Sequence, residues 1–150
     1  MKILIDADGC PVVKIVEEVA KAKSIETLIV FNIHHQIYSD YCQLIQVDEG
    51  RDVVDFKIVN SMEANDLVIT QDYGLAAMVL SRNGYAMNQN GMIYDPSNIE
   101  VLLLQRFIAK KEREKGHRVH GAKKRDQKQN QVFKEALELY IEKIERGSQG

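Results

Sequence analysis

The chain has few cysteines and no long apolar run, and both absences narrow what it can be. Cys10 and Cys42 are its two cysteines and show no CxxC spacing, so we expect free thiols rather than a bridge. No apolar run approaches the ~20 residues that cross a bilayer. The first residues also lack the basic-then-apolar pattern of a signal peptide. We therefore expect a cytoplasmic protein that does not contact the membrane.

The composition is that of one globular domain. The chain has 150 residues, of which 45% are hydrophobic and 28% are charged. This balance argues against a disordered or fibrous protein, and the length suits one ordinary core rather than two. We find no internal repeat and expect a single domain over residues 1–150.

The charge is unevenly distributed along the chain. Residues 1–105 carry 7 Lys and Arg against 15 Asp and Glu, whereas residues 106–128 carry 10 against 3. An acidic body is thus followed by a basic arm. The acidic body can hold a metal ion, and the basic arm can hold a polyanion. Runs of charge are, however, often solvated loops. The arm carries no aromatic series, so base stacking on it is not expected.

Short apolar runs alternate with helical patterns over the first half of the chain. Parallel strands need a crossover between them, so this alternation predicts a mostly parallel sheet with helices on both faces. The fold class is therefore α/β, with three layers in the order α/β/α. We predict strands over 3–5, 27–33, 44–48 and 67–70, and helices from Pro11, over 52–62 and over 73–82.

The second half predicts an edge hairpin and two helices. YAMN and MIYD indicate short strands, and Pro96 introduces a helix through residues 101–115. Residues 116–130 have two glycines and many charges, which is typical of a loop or mobile arm. An amphipathic stripe over 132–144 predicts a closing helix that docks on the body. The organisation is a core over about 1–105, a basic arm over about 106–128 and the closing helix over about 130–146.

Carboxylates follow several of the predicted strands. Asp6 and Asp8 follow the first strand, Asp52 and Asp55 come after the third, and Asp72 follows the fourth. The carboxyl ends of parallel strands meet at one edge, where ligands of open α/β sheets bind. Clustered carboxylates repel each other and raise their pKa values unless a cation lies between them. We therefore predict a Mg²⁺ or Mn²⁺ site with oxygen ligands from Asp6, Asp55 and Asp72.

Other interpretations of single residues stay open. An Asp before a helix is commonly an N-cap, and acids in the first turn are favoured by the helix dipole, so either explanation applies to Asp8 and to Asp52. Cys10 precedes a helix, where a thiol can become reactive, but nearby carboxylates oppose this and favour a small packed side chain. The histidine pairs, His34 with His35 and His117 with His120, are better explained as solvated side chains than as metal ligands.

Two motifs together resemble the YaiI/YqxD family of bacterial proteins, which is similar to PIN domains. They are ILIDADGCPVV at the start and GRDVVDFKIVNSMEANDLVITQDYGLAAMVL after it. The resemblance implies a PIN-like fold and a metal-dependent nuclease that hydrolyses phosphodiester bonds. It implies metal ligands at Asp6, Asp52, Asp55 and Asp72, catalysis by Asp6, Asp55 and Asp72, and support from Asp8, Asp66 and Thr70.

In this interpretation the basic arm holds the backbone of a nucleic acid, RNA rather than DNA. The residues expected to do so are Arg113, Arg118, Lys123, Lys124 and Arg125.

Two further hypotheses remain. The first motif is similar to that of Mg²⁺-dependent phosphatases of the haloacid-dehalogenase type, with Asp6 as nucleophile and Asp8 as general acid and base. Asp66 and Asp72 would then form the late acidic pair of such enzymes. The early Pro11 argues against it, because no room is left for the usual flap. A catalytically silent module that binds RNA or a protein partner is the other hypothesis.

Overall fold

A computed structural model describes residues 1–50, 52–117 and 124–148. Over these residues the chain forms six strands and five helices. They are, in chain order, β1 Ile3–Asp6, α1 Val13–Ala22, β2 Thr27–Asn32, β3 Gln43–Val47, α2 Val53–Ser61, β4 Leu67–Ile69, α3 Tyr73–Ser81, β5 Tyr85–Met87, β6 Ile93–Tyr94, α4 Pro96–Glu114 and α5 Gln127–Ser148.

The strands form one sheet in the order β3-β2-β1-β4-β5-β6. All neighbours are parallel except β5 and β6, which form the predicted antiparallel edge hairpin. β1 lies at the centre, and its Ile5 pairs with Ile29 of β2 and with Ile69 of β4. After β1 the chain forms β2 and β3 on one side of it and then β4 on its other side, so the strand order reverses between β1 and β4. This reversal opens a crevice at the carboxyl ends of β1 and β4.

Helices cover both faces of the sheet, so the predicted α/β fold with three layers is confirmed. Successive side chains of a strand point to opposite faces. Ile5 of β1 accordingly packs with α1 and α5, through residues such as Val16 and Leu137. Leu4 packs on the other face with α2 and α3, through residues such as Ile58 and Val79. The closing helix therefore docks on the body beside α1, as its stripe predicts.

Two helix starts differ from the prediction by two residues or more. Pro11 lies in a turn, and α1 begins two residues later at Val13. α4 agrees with the prediction, because it starts at Pro96, where Asp95 and Asn98 form a capping box, and continues to Glu114. α5 starts at Gln127, where the Asp126 carboxylate accepts from the Gln129 N–H at 3.0 Å. The loop predicted over 116–130 is therefore too long at its carboxyl end. None of the helices in the described ranges is long and apolar enough to cross a membrane.

Candidate functional site

A cleft of about 240 Å³ opens at the carboxyl ends of β1 and β4, and we call it the acidic cleft. It brings together aspartates that follow β1, begin α2 and follow β4, which lie up to 66 positions apart in the chain. The lining residues are Asp6, Asp8, Gly50, Asp52, Val54, Asp55, Gln71 and Asp72. All the carboxylates predicted to bind metal thus line one cleft.

Asp6 is the deepest of these carboxylates. It ends β1, is 9% exposed and accepts a hydrogen bond from the Thr70 hydroxyl at 2.7 Å. The pKa of Asp6 is raised to about 6, chiefly by burial. The Thr70 hydrogen bond opposes this increase, and the charges of Asp8 and Asp72 contribute to it. The hydrogen bond from Thr70 holds the Asp6 carboxyl in place, but no positive charge among the described residues balances it.

Thr70 connects two of the acids. Its hydroxyl donates to Asp6 and accepts from the Asp72 N–H at 3.0 Å, and its carbonyl accepts from the Tyr94 hydroxyl at 3.1 Å. Burial raises the pKa of the Tyr94 phenol, which keeps it a proton donor near neutral pH. The structure therefore places Thr70, a predicted supporting residue, where it can position both Asp6 and Asp72.

Asp55 lies in the first turn of α2 and is half-buried. The pKa of Asp55 is raised to about 7, chiefly by burial and also by the charges of Asp72, Asp6 and Asp52, while Arg106 opposes the increase. Asp52 is exposed at the N-cap of α2 in a left-handed conformation, with φ at 63°, but its side chain forms no capping hydrogen bond. The capping interpretation of Asp52 is therefore wrong.

Asp8 is not a cap either. The N-cap of α1 is Val12, and the Asp8 carboxylate instead accepts from the Asn32 side chain at 3.3 Å and the Asn32 N–H at 3.4 Å. His35 Nε2 lies 3.4 Å from the same carboxylate. Asp8 is thus held at the rim of the cleft by the last residue of β2 and by His35 of the loop that follows.

Asp72 is the one cleft acid that caps a helix. Its Oδ1 accepts from the N–H groups of Gly74 at 2.8 Å and Leu75 at 3.3 Å, at the start of α3. Arg106 Nη1 of α4 lies 3.3 Å from the same oxygen. Among the described residues no donor contacts Oδ2, so this oxygen of Asp72 accepts no hydrogen bond that stabilises the fold.

Two cleft-edge residues were missed by sequence reasoning. Arg106 was counted with the basic arm, and His35 was assigned to solvent. Arg106 reaches Asp72 only because α4 packs beside α3, and no local spacing signals such a contact. His35 follows β2, so its place at the same sheet edge was the available signal.

Asp66 does not belong to the cleft. It precedes β4, at the opposite end of the sheet, and accepts from the Lys2 N–H at 2.9 Å, Lys2 Nζ at 2.6 Å and the Glu63 N–H at 2.8 Å. This buried carboxylate fastens the amino ends of β1 and β4. The expected supporting role of Asp66 at the site is thus corrected to a structural one, and the late acidic pair of the phosphatase hypothesis is not formed.

The donor chemistry of the acidic cleft suits a hard divalent cation, because it offers carboxylate oxygens that repel one another without one. Within the described ranges, however, no three His, Cys, Asp or Glu side chains are already arranged to hold a metal ion. Mg²⁺ is usually bound through one or two carboxylates, with waters and substrate phosphate completing its shell. The residues therefore fit such an ion chemically, while the predicted cage of three carboxylates is not preformed.

The predicted nucleic-acid residues divide into three groups. Arg113 is exposed in the last turn of α4, and Lys124 lines an open cavity of about 350 Å³ with Lys128. Arg125 is already engaged, because its guanidinium donates to Asn90 Oδ1 at 2.8 Å, the Gln89 carbonyl at 2.7 Å and Asn130 Oδ1 at 2.6 Å. It fastens the start of α5 to the β5–β6 turn. Arg118 and Lys123 lie outside the described residues.

The cysteines and the remaining histidines have local contacts. Cys10 and Cys42 are free, as predicted, and burial raises the pKa of both thiols, so neither is an activated nucleophile. His34 lies 3.3 Å from Glu49, and His117 contacts Glu112 on α4. His120 lies outside the described residues.

Comparison with known proteins identifies close relatives. The family model "Uncharacterized BCR, YaiI/YqxD family" matches residues 4–143. A UPF0178 protein of Alkaliphilus oremlandii is 43% identical over 142 residues, which cover 95% of this chain and 92% of that protein. One of Clostridium perfringens is 44% identical over 144 residues, covering 96% and 97%.

Among solved structures, that of a mutant of Rae1 (YacP) from Bacillus subtilis is similar. It has a TM-score of 0.43 and 13% identity, and the alignment covers 98% of this chain and 99% of that one.

Proposed function

The chain belongs to the YaiI/YqxD family of uncharacterised proteins, and we propose that this member is a metal-dependent nuclease that hydrolyses phosphodiester bonds in RNA. The observation that carries the proposal is the acidic cleft at the point where the strand order reverses. Its carboxylates face one another with raised pKa values at Asp6 and Asp55. A fold gains nothing from this repulsion, so the cleft is better explained by a cation than by stability.

Asp6, Asp55 and Asp72 would hold the ion, with Asp52 at the rim. A bound Mg²⁺ or Mn²⁺ supplies Lewis-acid stabilisation of a phosphate and lowers the pKa of a water that attacks it. The chain's own residues prepare the site. Thr70 fixes Asp6, the amides of Gly74 and Leu75 fix Asp72, and Asp8 is held at the rim by Asn32.

Positive charge stands beside the acids. Arg106 lies against Asp72 and can meet a phosphate oxygen that enters the cleft. Lys124 and Lys128 line a neighbouring cavity next to Asn90 in the β5–β6 turn, at the same edge of the sheet. These cations are suited to the backbone of a nucleic acid, and Arg113, Arg118 and Lys123 extend the basic character along the arm.

Calorimetric titration of Mn²⁺ into the metal-free protein tests the proposal before any substrate is known. We expect binding by the wild type and at least about tenfold weaker binding by Asp6→Asn, Asp55→Asn and Asp72→Asn, since each removes one anionic ligand. Asn also retains the ability to cap α3 at position 72. Asp40→Asn is the matched control, because Asp40 is exposed, lies 3.7 Å from Lys21 and does not line the acidic cleft.

A wild type that binds no Mn²⁺, or a control that loses as much as the cleft variants, would contradict the metal site. Loss with Asp6→Asn and Asp72→Asn but not with Asp55→Asn would support the phosphatase hypothesis, which gives Asp55 no role. That hypothesis is weakened by the position of Asp66 at the far end of β4. Metal binding without cleavage of single-stranded or structured RNA would favour the silent binding module.

A further inference from the structure

A second groove lies beside the acidic cleft, on the side of α1. It has a volume of about 440 Å³, and we call it the Tyr38 groove. The residues that matter here are Gly9, Cys10, Lys14, His35, Ile37 and Tyr38, from the turn after β1, from α1 and from the loop after β2. Neither the acidic cleft nor the family comparison assigns this groove a role.

The two cavities share a thin wall. Asp6 and Asp8 line the acidic cleft, whereas Ala7 and Gly9 line the Tyr38 groove, so alternate residues of one segment face the two spaces. His35 spans the wall, because it lines the groove and its Nε2 lies 3.4 Å from Asp8 Oδ1. A ligand whose anionic part lies in the cleft can therefore extend directly into the groove.

The wall needs a glycine at position 9. Gly9 has φ at +72°, which L side chains rarely adopt. A Cβ there would also lie 3.0 Å from Gln71 Nε2, whose side chain lines the cleft. The turn at Gly9 thus brings the backbone of this wall close to Gln71.

The chemistry of the groove matches a nucleotide. Tyr38 is 73% exposed, more than any other large hydrophobic side chain among the described residues. Its backbone is held by Lys14, whose Nζ donates to the Tyr38 carbonyl at 2.8 Å. Cys10 and Ile37 give the groove an apolar wall, and burial raises the pKa of Cys10, which keeps that thiol neutral. Lys14 also lies 3.9 Å from Glu17. An exposed aromatic ring beside a lysine is a common platform for a base and its phosphate.

We propose that the Tyr38 groove binds the nucleotide next to the scissile phosphate of a single-stranded RNA. The base stacks on Tyr38, and Lys14 and His35 lie near the adjoining phosphate. This inference rests on the proposed nuclease function, and it adds a base-binding subsite that selects an unpaired strand. A base within a duplex is already stacked and paired, so it cannot lie on the ring in this way.

Binding and cleavage, measured separately, test the subsite. Fluorescence anisotropy with a labelled short single-stranded RNA and Ca²⁺ in place of Mn²⁺ gives an affinity for each variant. We expect Tyr38→Ala to weaken binding about tenfold, since stacking contributes ~1–3 kcal/mol per base. Tyr38→Phe keeps a ring and should bind within about twofold of the wild type. Phe107→Ala is the control, because Phe107 is an exposed aromatic on α4, 56% exposed, that lines neither cavity.

The outcomes separate the subsite from the nuclease. If Mn²⁺-dependent cleavage occurs and Tyr38→Ala binds and cleaves like Phe107→Ala, the subsite is wrong and the nuclease stands. If Tyr38→Ala weakens binding while Asp6→Asn keeps binding but abolishes cleavage, both are supported. A wild type that binds no RNA would overturn the subsite together with the RNA substrate. Equal binding of single-stranded RNA and its duplex would also overturn the subsite.

Discussion

Asp6 and Asp66 lie at opposite ends of the same pair of neighbouring strands, and their surroundings differ sharply. Both carboxylates are almost buried, at 9% and 4% exposed. Asp66 accepts two backbone N–H groups and pairs with Lys2 Nζ at 2.6 Å. Asp6 accepts from the Thr70 hydroxyl and from the Asp8 backbone N–H, and it faces the like charges of Asp8 and Asp72.

The difference separates a carboxylate that the fold pairs with an opposite charge from one that it places among like charges. Burying a charge costs free energy unless donors and an opposite charge accompany it. Asp66 has both within the fold, so it stabilises the junction of β1 and β4. Asp6 has no opposite charge in contact with it among the described residues, so its charged form is disfavoured and its pKa is raised. The following predictions test this contrast, from the largest expected effect to the smallest.

Removal of the Asp66 carboxylate should have the largest effect on stability. We expect Asp66→Ala to lower the free energy of unfolding by about 3 kcal/mol, because it leaves Lys2 and two N–H groups without their acceptor. Urea denaturation measures the change. Asp40→Ala, which removes an exposed carboxylate, should change stability by less than about 0.5 kcal/mol. If Asp66→Ala lowers the free energy of unfolding by less than about 1 kcal/mol, Asp66 does not stabilise the fold as proposed.

Binding of a cation in the acidic cleft should have the second-largest effect on stability. If the acidic cleft binds Mn²⁺, ion at about 100 times its Kd should raise the free energy of unfolding by ~2.7 kcal/mol. Thermal melts at about pH 8, where the cleft carboxyls are ionised, would show the shift. Asp6→Asn should abolish it. An equal shift in that variant would place the ion elsewhere.

Neutralisation of Asp6 should stabilise the metal-free protein. The pKa of Asp6 is about 6 in the folded state against an ordinary value of 3.8. The folded state therefore holds more protons between these values, and stability falls as the pH rises through about 6. We expect Asp6→Asn to add about 1–2 kcal/mol at about pH 8 and little at about pH 4. Urea denaturation in EDTA at both pH values measures this, and a pH-independent effect would argue against like-charge repulsion.

The smallest effect concerns Asp72, which combines both behaviours. Asp72→Ala removes the cap of α3 and should cost about 1 kcal/mol relative to Asp72→Asn, which keeps an acceptor for Gly74. Both variants should lose Mn²⁺ binding equally. If Asp72→Asn proves as unstable as Asp72→Ala, the carboxylate charge rather than the cap holds the start of α3.

Much of this could be predicted from sequence because it depends on local patterns. Alternating apolar runs predicted the parallel sheet, and Asp6, Asp55 and Asp72 were placed at one edge because parallel strands end together. The hairpin of β5 and β6 and the docking of α5 were also confirmed. Helix ends were less certain, since Pro11 and Asp126 act through turn and cap geometry that composition does not reveal.

The site's surroundings could not be predicted, because they depend on contacts between distant segments. Asp66 precedes the predicted strand over 67–70, so its place at the amino end was available from the sequence, but its contacts with Lys2 depend on the pairing of β1 with β4. Arg106 and Asp72 are 34 positions apart and meet through the packing of α4 on α3. Likewise, Tyr38 and Gly9 line one groove only because β1 and β2 are neighbours.

The sequence by itself determined the order of strands and helices and the presence of acids after the strands, since periodicity and residue type are local properties. The tertiary structure alone decided which acids face one another and which one is neutralised. That decision depends on distance and burial, because a carboxylate's charge is tolerated or opposed according to the donors and charges within a few ångströms of it. Asp6 and Asp66 are both aspartates. Only the fold places Asp66 beside Lys2 and Asp6 beside the carboxylates of Asp8 and Asp72.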